Sequence, residues 1–442
     1  MGRCWKATAV VAGVMWSACL VRAQEPESEA RASVEVPHAP VSIGGESVSL
    51  ERLLQHAERH APALAVAEAQ VALADGEFGA AEPLLPRNPS LLLGAGPRFG
   101  ANTSVDANVL VNLLVPLEIA GERPLRFDVA RAARSTRERA QERVRWQVHQ
   151  DIHAGYRTAL ALRRNAELAQ RLAEFSAQLV DIATRRVQAG DASPLTQRLA
   201  EADAAQARQR AIAALQGYRD ACLRLAEVAG WNAEHPPEPV GELDAPRRAP
   251  LLATLLELAE ASNPALAQLR AAVQEAEARE TLADREAWPE PSIGVRYIFE
   301  GAPGGGSPEH VLMGLLELPF PVSQLNQAER ARTAARVDVS TAERDALGSV
   351  LAVRLERLRS AVNAASERVE AFGQDILPLF EENLAMLRRA FELGEIDLLR
   401  LSVAVERFLS VQQQALEAYA DYFSAVAALE AEVGSEIWED EQ

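Results

Sequence analysis

Between residues 105 and 115 apolar and polar side chains alternate: Val105, Ala107, Val109, Val111, Leu113 and Val115 fall on one side, and Asp106, Asn108 and Asn112 on the other. A period of two predicts a β-strand with one apolar and one wet face. Ile293, Val295, Tyr297 and Phe299 repeat the pattern against Gly294 and Arg296, and a further strand is expected over 311–318. The glycine-rich loop 301–306 between them reads as a hairpin turn, since no strand-glycine-helix order surrounds it as a phosphate cradle requires.

Elsewhere the period is helical. Helices are expected over 49–81 and 251–288, each ended by prolines: Pro83 and Pro86, then Pro289 and Pro291. After each strand pair comes a very long helix, 122–188 and 323–393, which at 1.5 Å per residue reaches about 100 Å. Leu351, Leu355, Leu358, Val362, Ala365, Val369, Phe372, Ile376, Leu379 and Met386 advance in steps of four and three, interrupted only by Asn383, the spacing of a coiled-coil seam. Leu168, Leu172, Phe175, Leu179 and Ile182 do the same, and so does a return helix carrying Leu398, Leu401, Val405, Phe408, Tyr419, Tyr422, Val426 and Leu429. Long and return helices are therefore expected to pack antiparallel. Pro378 should kink or break the second long helix near Gln374, where its ring clashes with the preceding turn.

These elements form a duplication. His60-Ala61-Pro62-Ala63-Leu64 recurs as Ser262-Asn263-Pro264-Ala265-Leu266, Val115-Pro116-Leu117 as Leu318-Pro319-Phe320, and Arg185-Arg186 with Gly190 as Arg388-Arg389 with Gly394. The shared offset of roughly two hundred residues divides the chain into two copies of one unit. The divisions read as a leader at 1–23, an irregular polar segment at 24–46, a first repeat at 47–234, a proline-rich linker at 235–250, a second repeat at 251–434 and an acidic tail at 435–442.

The leader changes the charge and the compartment. Arg3 and Lys6 precede an apolar run at 7–15 and a Val21-Arg22-Ala23 cleavage pattern, so the chain is expected to be exported. The run is short of the roughly 20 residues that span a bilayer. Cys19 offers an alternative, lipoprotein-type processing, although Trp16 stands where such signals carry Leu. Cleavage before Gln24 leaves Cys222 as the one cysteine, so no intrachain disulfide can form. It also removes three cations and no acid, taking the net charge from -18 to -21. Nucleic-acid binding is excluded by that balance, because phosphate attraction needs clustered cations. Of the 442 residues 48% are hydrophobic and only 5% aromatic, a composition that favours long helices.

Ten-residue strands with one apolar face suit a tilted strand crossing an outer membrane, and equally a soluble antiparallel sheet lying on helices. Export favours the first. Four strands cannot close a barrel, so lipid-crossing strands require several chains to complete one wall. A serine-hydrolase elbow, a zincin pair and a nucleotide loop are all missing from the sequence, which argues against a secreted enzyme. A soluble periplasmic coiled-coil adaptor or scaffold explains the heptads and leaves the strand pairs unexplained.

The duplicated unit, Pro-Arg-Asn-Pro-Ser-Leu at 86–91, Val-Pro-Leu-Glu-Ile-Ala-Gly-Glu-Arg at 115–123 and the Arg-Arg-x-x-x-x-Gly turns resemble the TolC family of outer membrane factors over nearly the whole mature chain. Within it the Asn-Pro-x-Leu and Pro-Leu-Glu-x-x-Gly-x-Arg patterns are most similar to the CzcC heavy-metal efflux branch. The resemblance implies a mainly α fold with membrane β: a trimeric 12-stranded β-barrel continuing into a 12-helix α-barrel. It also implies an outer-membrane location with a long periplasmic extension. The implied partners are two sister chains, a periplasmic adaptor (membrane fusion protein), an inner-membrane resistance-nodulation-division pump and outer-membrane lipid. The implied cargo is divalent metal cations, with no reaction catalysed and no cofactor.

Asp106, Asn108 and Asn112 are then expected to line the barrel lumen. Arg185, Arg186, Gly190, Asp191, Arg388, Arg389, Gly394, Glu395 and Asp397 are expected at the periplasmic tip, where the family meets its adaptor. Each glycine is first of all a helix C-cap, and the arginines equally suit neutralisation of helix C-termini. Family members that carry acidic rings one to two turns after the second glycine differ from this chain, which has Arg400, Ser402 and Val403 there. Glu395 and Asp397 are the nearest carboxylates. His56 and His60, and His149 and His153, are two pairs at helical spacing and at similar depth from the strands. Their meeting would make a metal site, against the alternative of solvated or lumen-facing histidines.

Overall fold

The computed structural model describes residues 41–99, 105–243, 245–372 and 376–438. The leader, Cys19 and Gln374 lie outside the described residues. In the first repeat β1 (Glu46–Val48) is followed by α1 (Leu50–His60), α2 (Pro62–Ala81), β2 (Ser90–Phe99), β3 (Val105–Pro116), α3 (Glu122–Ala189) and α4 (Pro194–Ala229). A short β4 (Pro237–Pro239) leads to α5 (Leu252–Ser262), α6 (Pro264–Arg285), β5 (Ser292–Glu300), β6 (Glu309–Glu317), α7 (Gln327–Phe372), α8 (Ile376–Glu392) and α9 (Leu398–Val433). No described helix is long and apolar enough to cross a membrane.

The single helices expected over 49–81 and 251–288 are each two. The break falls at the residue before a proline, whose ring disfavours the helical conformation of its predecessor. Ala61 and Asn263 accordingly have ψ of 124° and 111°. Pro62 and Pro264 then occupy the first turn of α2 and α6, where a missing N–H costs nothing. Asn263 caps α6 by accepting from Leu266 N at 2.8 Å, and its amide donates to Glu432 O at 2.6 Å. Gly230 and Gly434, both with positive φ, close α4 and α9 beside these breaks, where a Cβ would collide with His60 O and Ser262 O respectively.

The heptad seams mostly bury. Leu172, Leu179 and Ile182 are buried, as are Leu351, Leu355, Leu358, Val362, Ala365 and Val369 and, on α9, Leu398, Leu401, Phe408, Tyr422, Val426 and Leu429. Met386 departs from its seam and stands 62% exposed. One core gathers Leu53, Ile152, Tyr218 and Leu225 in the first repeat, and a second gathers Leu255, Leu355, Phe423 and Leu429. The long α3 packs on α4, α6 and α9, so it belongs to both repeats.

Around the middle of α3, β1 pairs in parallel with β4. Glu238 accepts from Ser42 Oγ at 2.9 Å and Gly45 N at 2.6 Å. The Tyr156 hydroxyl lies 2.6 Å from Val240 O and accepts from Val240 N at 3.0 Å.

The four long strands form one antiparallel sheet in the order β2-β3-β5-β6. Register pairs Asn112 with Leu92 and Arg296, and Arg296 with Met313. Because side chains alternate across the pleat, one face collects Leu91, Leu93, Val109, Val111, Leu113, Ile293, Val295, Phe299, Leu312 and Leu316. Leu93, Leu312 and Leu316 are 66%, 73% and 65% exposed. The opposite face carries Arg98, Asp106, Asn108, Asn112, Arg296 and Glu300. The outer edges of β2 and β6 have no strand partner among the described residues.

Candidate functional site

Three regions hold the residues to which the sequence points: the wet face of the sheet, the tip where the helix hairpins turn, and the histidines half-way along α3.

On the wet face Arg98 bonds Glu300 at 2.8 Å across the strand pairs. Asn112 is buried, and Asp106 and Asn108 are half-buried. The three polar residues expected to share a face do so, together with Arg296, which the alternation had set on the polar side of its strand, and Arg98, which it left unassigned. Below the sheet, the 115–123 motif builds the turn into α3. Glu118, nearly buried, pairs with Arg126. Gly121 takes φ 79° at the helix N-cap. Arg123 donates to Glu82 O at 3.3 Å and covers the Phe127 ring. This strand-to-helix joint is a structural reason for the Glu-x-x-Gly-x-Arg spacing, and Arg126 was not singled out by its pattern.

At the far end the two turns are built alike. Gly190 and Gly394 have φ 84° and 77°. In each turn the next residue's N–H reaches back to close the helix, Asp191 N to Arg186 O and Glu395 N to Ala390 O, both at 2.8 Å. A left-handed residue at this position suits glycine. Ser193 and Asp397 then cap α4 and α9, accepting from Thr196 N and Arg400 N.

The tip arginines differ in what they do. Arg186 donates to Phe391 O at 3.0 Å and lies over the Phe391 ring at 5.2 Å, joining the turn of one repeat to that of the other. Arg388 donates to Gln178 at 3.1 Å. Arg185 and Arg389 are exposed, as are Asp191, Glu395 and Asp397. Phe391 is the buried centre of a small cluster with Leu179, Ile182, Ala200, Leu398 and Leu401. One turn beyond the second hairpin turn, the Ser402 hydroxyl donates to Asp203 of α4 at 2.6 Å. Arg210 bonds Glu406 at 3.0 Å one turn further on. Asp203 was missed because it lies in the other repeat, where the spacing from the second glycine does not reach.

The two histidine pairs do not come together as one cluster. His56 stacks on His60 and faces Gly230 O and Trp231. His149 stacks on His153, with ring centroids 4.4 Å apart, and both face Glu436 beyond the end of α9. Sequence spacing could not show which way each pair faces around its helix axis. Burial, reinforced by the neighbouring His149 and Arg157, lowers the His153 pKa to about 4, against the opposing pull of Glu436. Its ring is therefore neutral at ordinary pH. Glu436 is held below the usual carboxylate range, first by its hydrogen bond with His149.

Residues 53–231, essentially the first repeat, match the family model described as outer membrane efflux protein. The chain matches no curated protein sequence. Its fold is that of several solved structures. It resembles the Campylobacter jejuni CmeC outer membrane channel at 13% identity and TM-score 0.69, covering 89% of this chain and 87% of that one. CusC, solved in work on folding and transmembrane channel formation, aligns at 15% identity and TM-score 0.68 over 91% and 96%. The open state of the Neisseria gonorrhoeae MtrE outer membrane channel aligns at 17% identity and TM-score 0.60 over 92% and 98%.

Proposed function

We infer that this chain belongs to the outer membrane efflux protein family and forms one part of the wall of an efflux duct, with its sheet in the outer membrane and its helices in the periplasm. The observation that carries this reading is the sheet itself. One face is apolar and open from Leu91 to Leu316, the other carries all the charged strand residues of the sheet among apolar ones, and both edges are unpaired among the described residues. In water such a face would aggregate; in lipid the apolar face is satisfied and the edges demand further strands. Three chains of four strands supply the twelve of a closed barrel.

The helices then extend the conduit to the turns at Gly190 and Gly394. There the exposed Arg185, Arg389, Asp191, Glu395 and Asp397 form a charged rim for a periplasmic adaptor, which connects the duct to a resistance-nodulation-division pump. Asp106, Asn108 and Asn112 line the lumen beside Arg98, Arg296 and Glu300. Divalent metal cations are the proposed cargo. The motifs at 86–91 and 115–123 support this, as does the charge of the wet face. Asp106, Glu300, Glu309 and Glu317 outnumber Arg98 and Arg296 on the strand positions of that parity.

Membrane fractionation tests the duct. The chain is expected in the outer-membrane fraction, released only by detergent, whereas recovery from the periplasm without detergent would refute it and favour a soluble adaptor. Loss of the gene is expected to sensitise cells to zinc, cobalt or cadmium. Unchanged tolerance to all three would remove the metal reading and leave the duct standing.

A further inference from the structure

We propose that His149 and His153 of α3, together with Glu436, form a binding site for one divalent transition-metal cation, zinc by its chemistry, that clasps the C-terminal segment of the second repeat to the long helix of the first. This site is structural and independent of what the duct carries.

Residues four apart present both imidazoles on one helix face. Glu436 Oε1 lies 3.0 Å from His149 Nε2 and 3.7 Å from His153 Nε2. One ligand atom from each of the three residues falls within 4.8 Å of the others. Tetrahedral zinc with bonds of about 2.0 to 2.1 Å spaces its ligand atoms about 3.4 Å apart. The two measured separations bracket that value, so small rotations of the side chains suffice.

The independent observation is His153. It is 6% exposed, and neither ring nitrogen has a hydrogen-bond partner among the described residues. Buried polar groups in folded proteins are almost always satisfied. A buried imidazole beside a second imidazole and a carboxylate is in the position of a metal ligand.

The carboxylate is held in place from behind. Gly434, with φ 89°, turns the chain out of α9. Ile437 enters the second core, and its N–H donates to Glu430 Oε1 at 3.3 Å. The Trp146 indole donates to Glu430 O at 3.2 Å, fixing the same turn to α3. Arg157, the next turn along α3, opposes a cation, but its guanidinium lies over the Phe423 ring at 5.7 Å. Glu436 and Glu430 supply the balancing carboxyl groups. With His149 and Glu436 side chains 27% and 38% exposed, an ion can enter and keep water at its fourth position. Two imidazoles and a carboxylate suit zinc, cobalt, nickel or copper(II), and not the soft ions that need sulfur.

The test uses the detergent-purified full chain, stripped with chelator and titrated with zinc. One zinc per chain is expected, with a rise in thermal midpoint, protection of the C-terminal segment from carboxypeptidase, and X-ray absorption showing imidazole ligation. Glu436→Gln and His149→Ala are expected to weaken binding at least about tenfold, the scale on which even outer partners of a metal act. His56→Ala should leave it unchanged. Should His149→Ala fail to fold, Glu436→Gln, which keeps the shape of its side chain, decides the matter. Equal affinity in Glu436→Gln and the parent, absence of zinc at micromolar concentration, or absorption lacking imidazole each overturns the site.

Discussion

Arg186 joins two turns that lie 205 residues apart in sequence, through one hydrogen bond to Phe391 O and one contact with its ring. Its neighbour Arg185 is exposed. A charged hydrogen bond with a partly desolvated cation-π contact contributes about 2 kcal/mol. Arg186→Ala is therefore expected to lower the thermal midpoint and open the tip turns to limited proteolysis, and Arg185→Ala to change neither. Identical proteolysis of the two variants would contradict the linkage. Cys222 is fully buried, and burial pushes its thiol pKa up to about 12. Since only the thiolate reacts readily, maleimide labelling at pH 8 should require denaturant. Stoichiometric labelling of the native protein would contradict that packing. Of the residue-level picture, sequence spacing supplied the glycine caps and the arginine pairs. It could not tell Arg186 from Arg185, because the distinction depends on a partner in the other repeat.

At the scale of elements, Gly294 sits where β5 passes close against β3. A Cβ there would collide with Leu113 O across the β3–β5 pairing, whereas Gly314 on β6 has open space around it. Gly294→Val is expected to prevent assembly, and Gly314→Val, which adds an apolar group to the apolar face, to assemble normally. Native gels of detergent extracts distinguish them, and normal assembly of both would show that the β3–β5 register is different. The strands β3, β5 and β6 and the heptads were legible because each rests on a period of two or of three and four within one element, whereas β2, with its unbroken Leu91-Leu92-Leu93 run, received no range. The division of α1 from α2 and of α5 from α6 was not read, because apolar spacing runs on through Pro62 and Pro264. The physical signal was nevertheless present in the residue before each proline. The partnership of His149 with Glu436 spans 287 residues and follows no period, so only the fold reveals it.

For the whole molecule, the duplication was visible in three landmarks, and the sheet order β2-β3-β5-β6 explains what it achieves. Each repeat contributes one antiparallel strand pair, β3 joins β5, and β2 and β6 are left with no further strand partner among the described residues. Under the proposed function, four strands joined edge to edge with copies of themselves would close without leaving a backbone row in lipid. The helix hairpins of both repeats remain tied at the tip by Arg186 and by the contact of Ser402 with Asp203, so in the proposed duct the helices and the sheet of each chain would act as one piece. Native mass spectrometry of the protein released from detergent micelles tests this claim most directly. The account predicts three chains, dissociating only when the micelle is removed under denaturing conditions; a single chain, monodisperse with or without detergent, would contradict it.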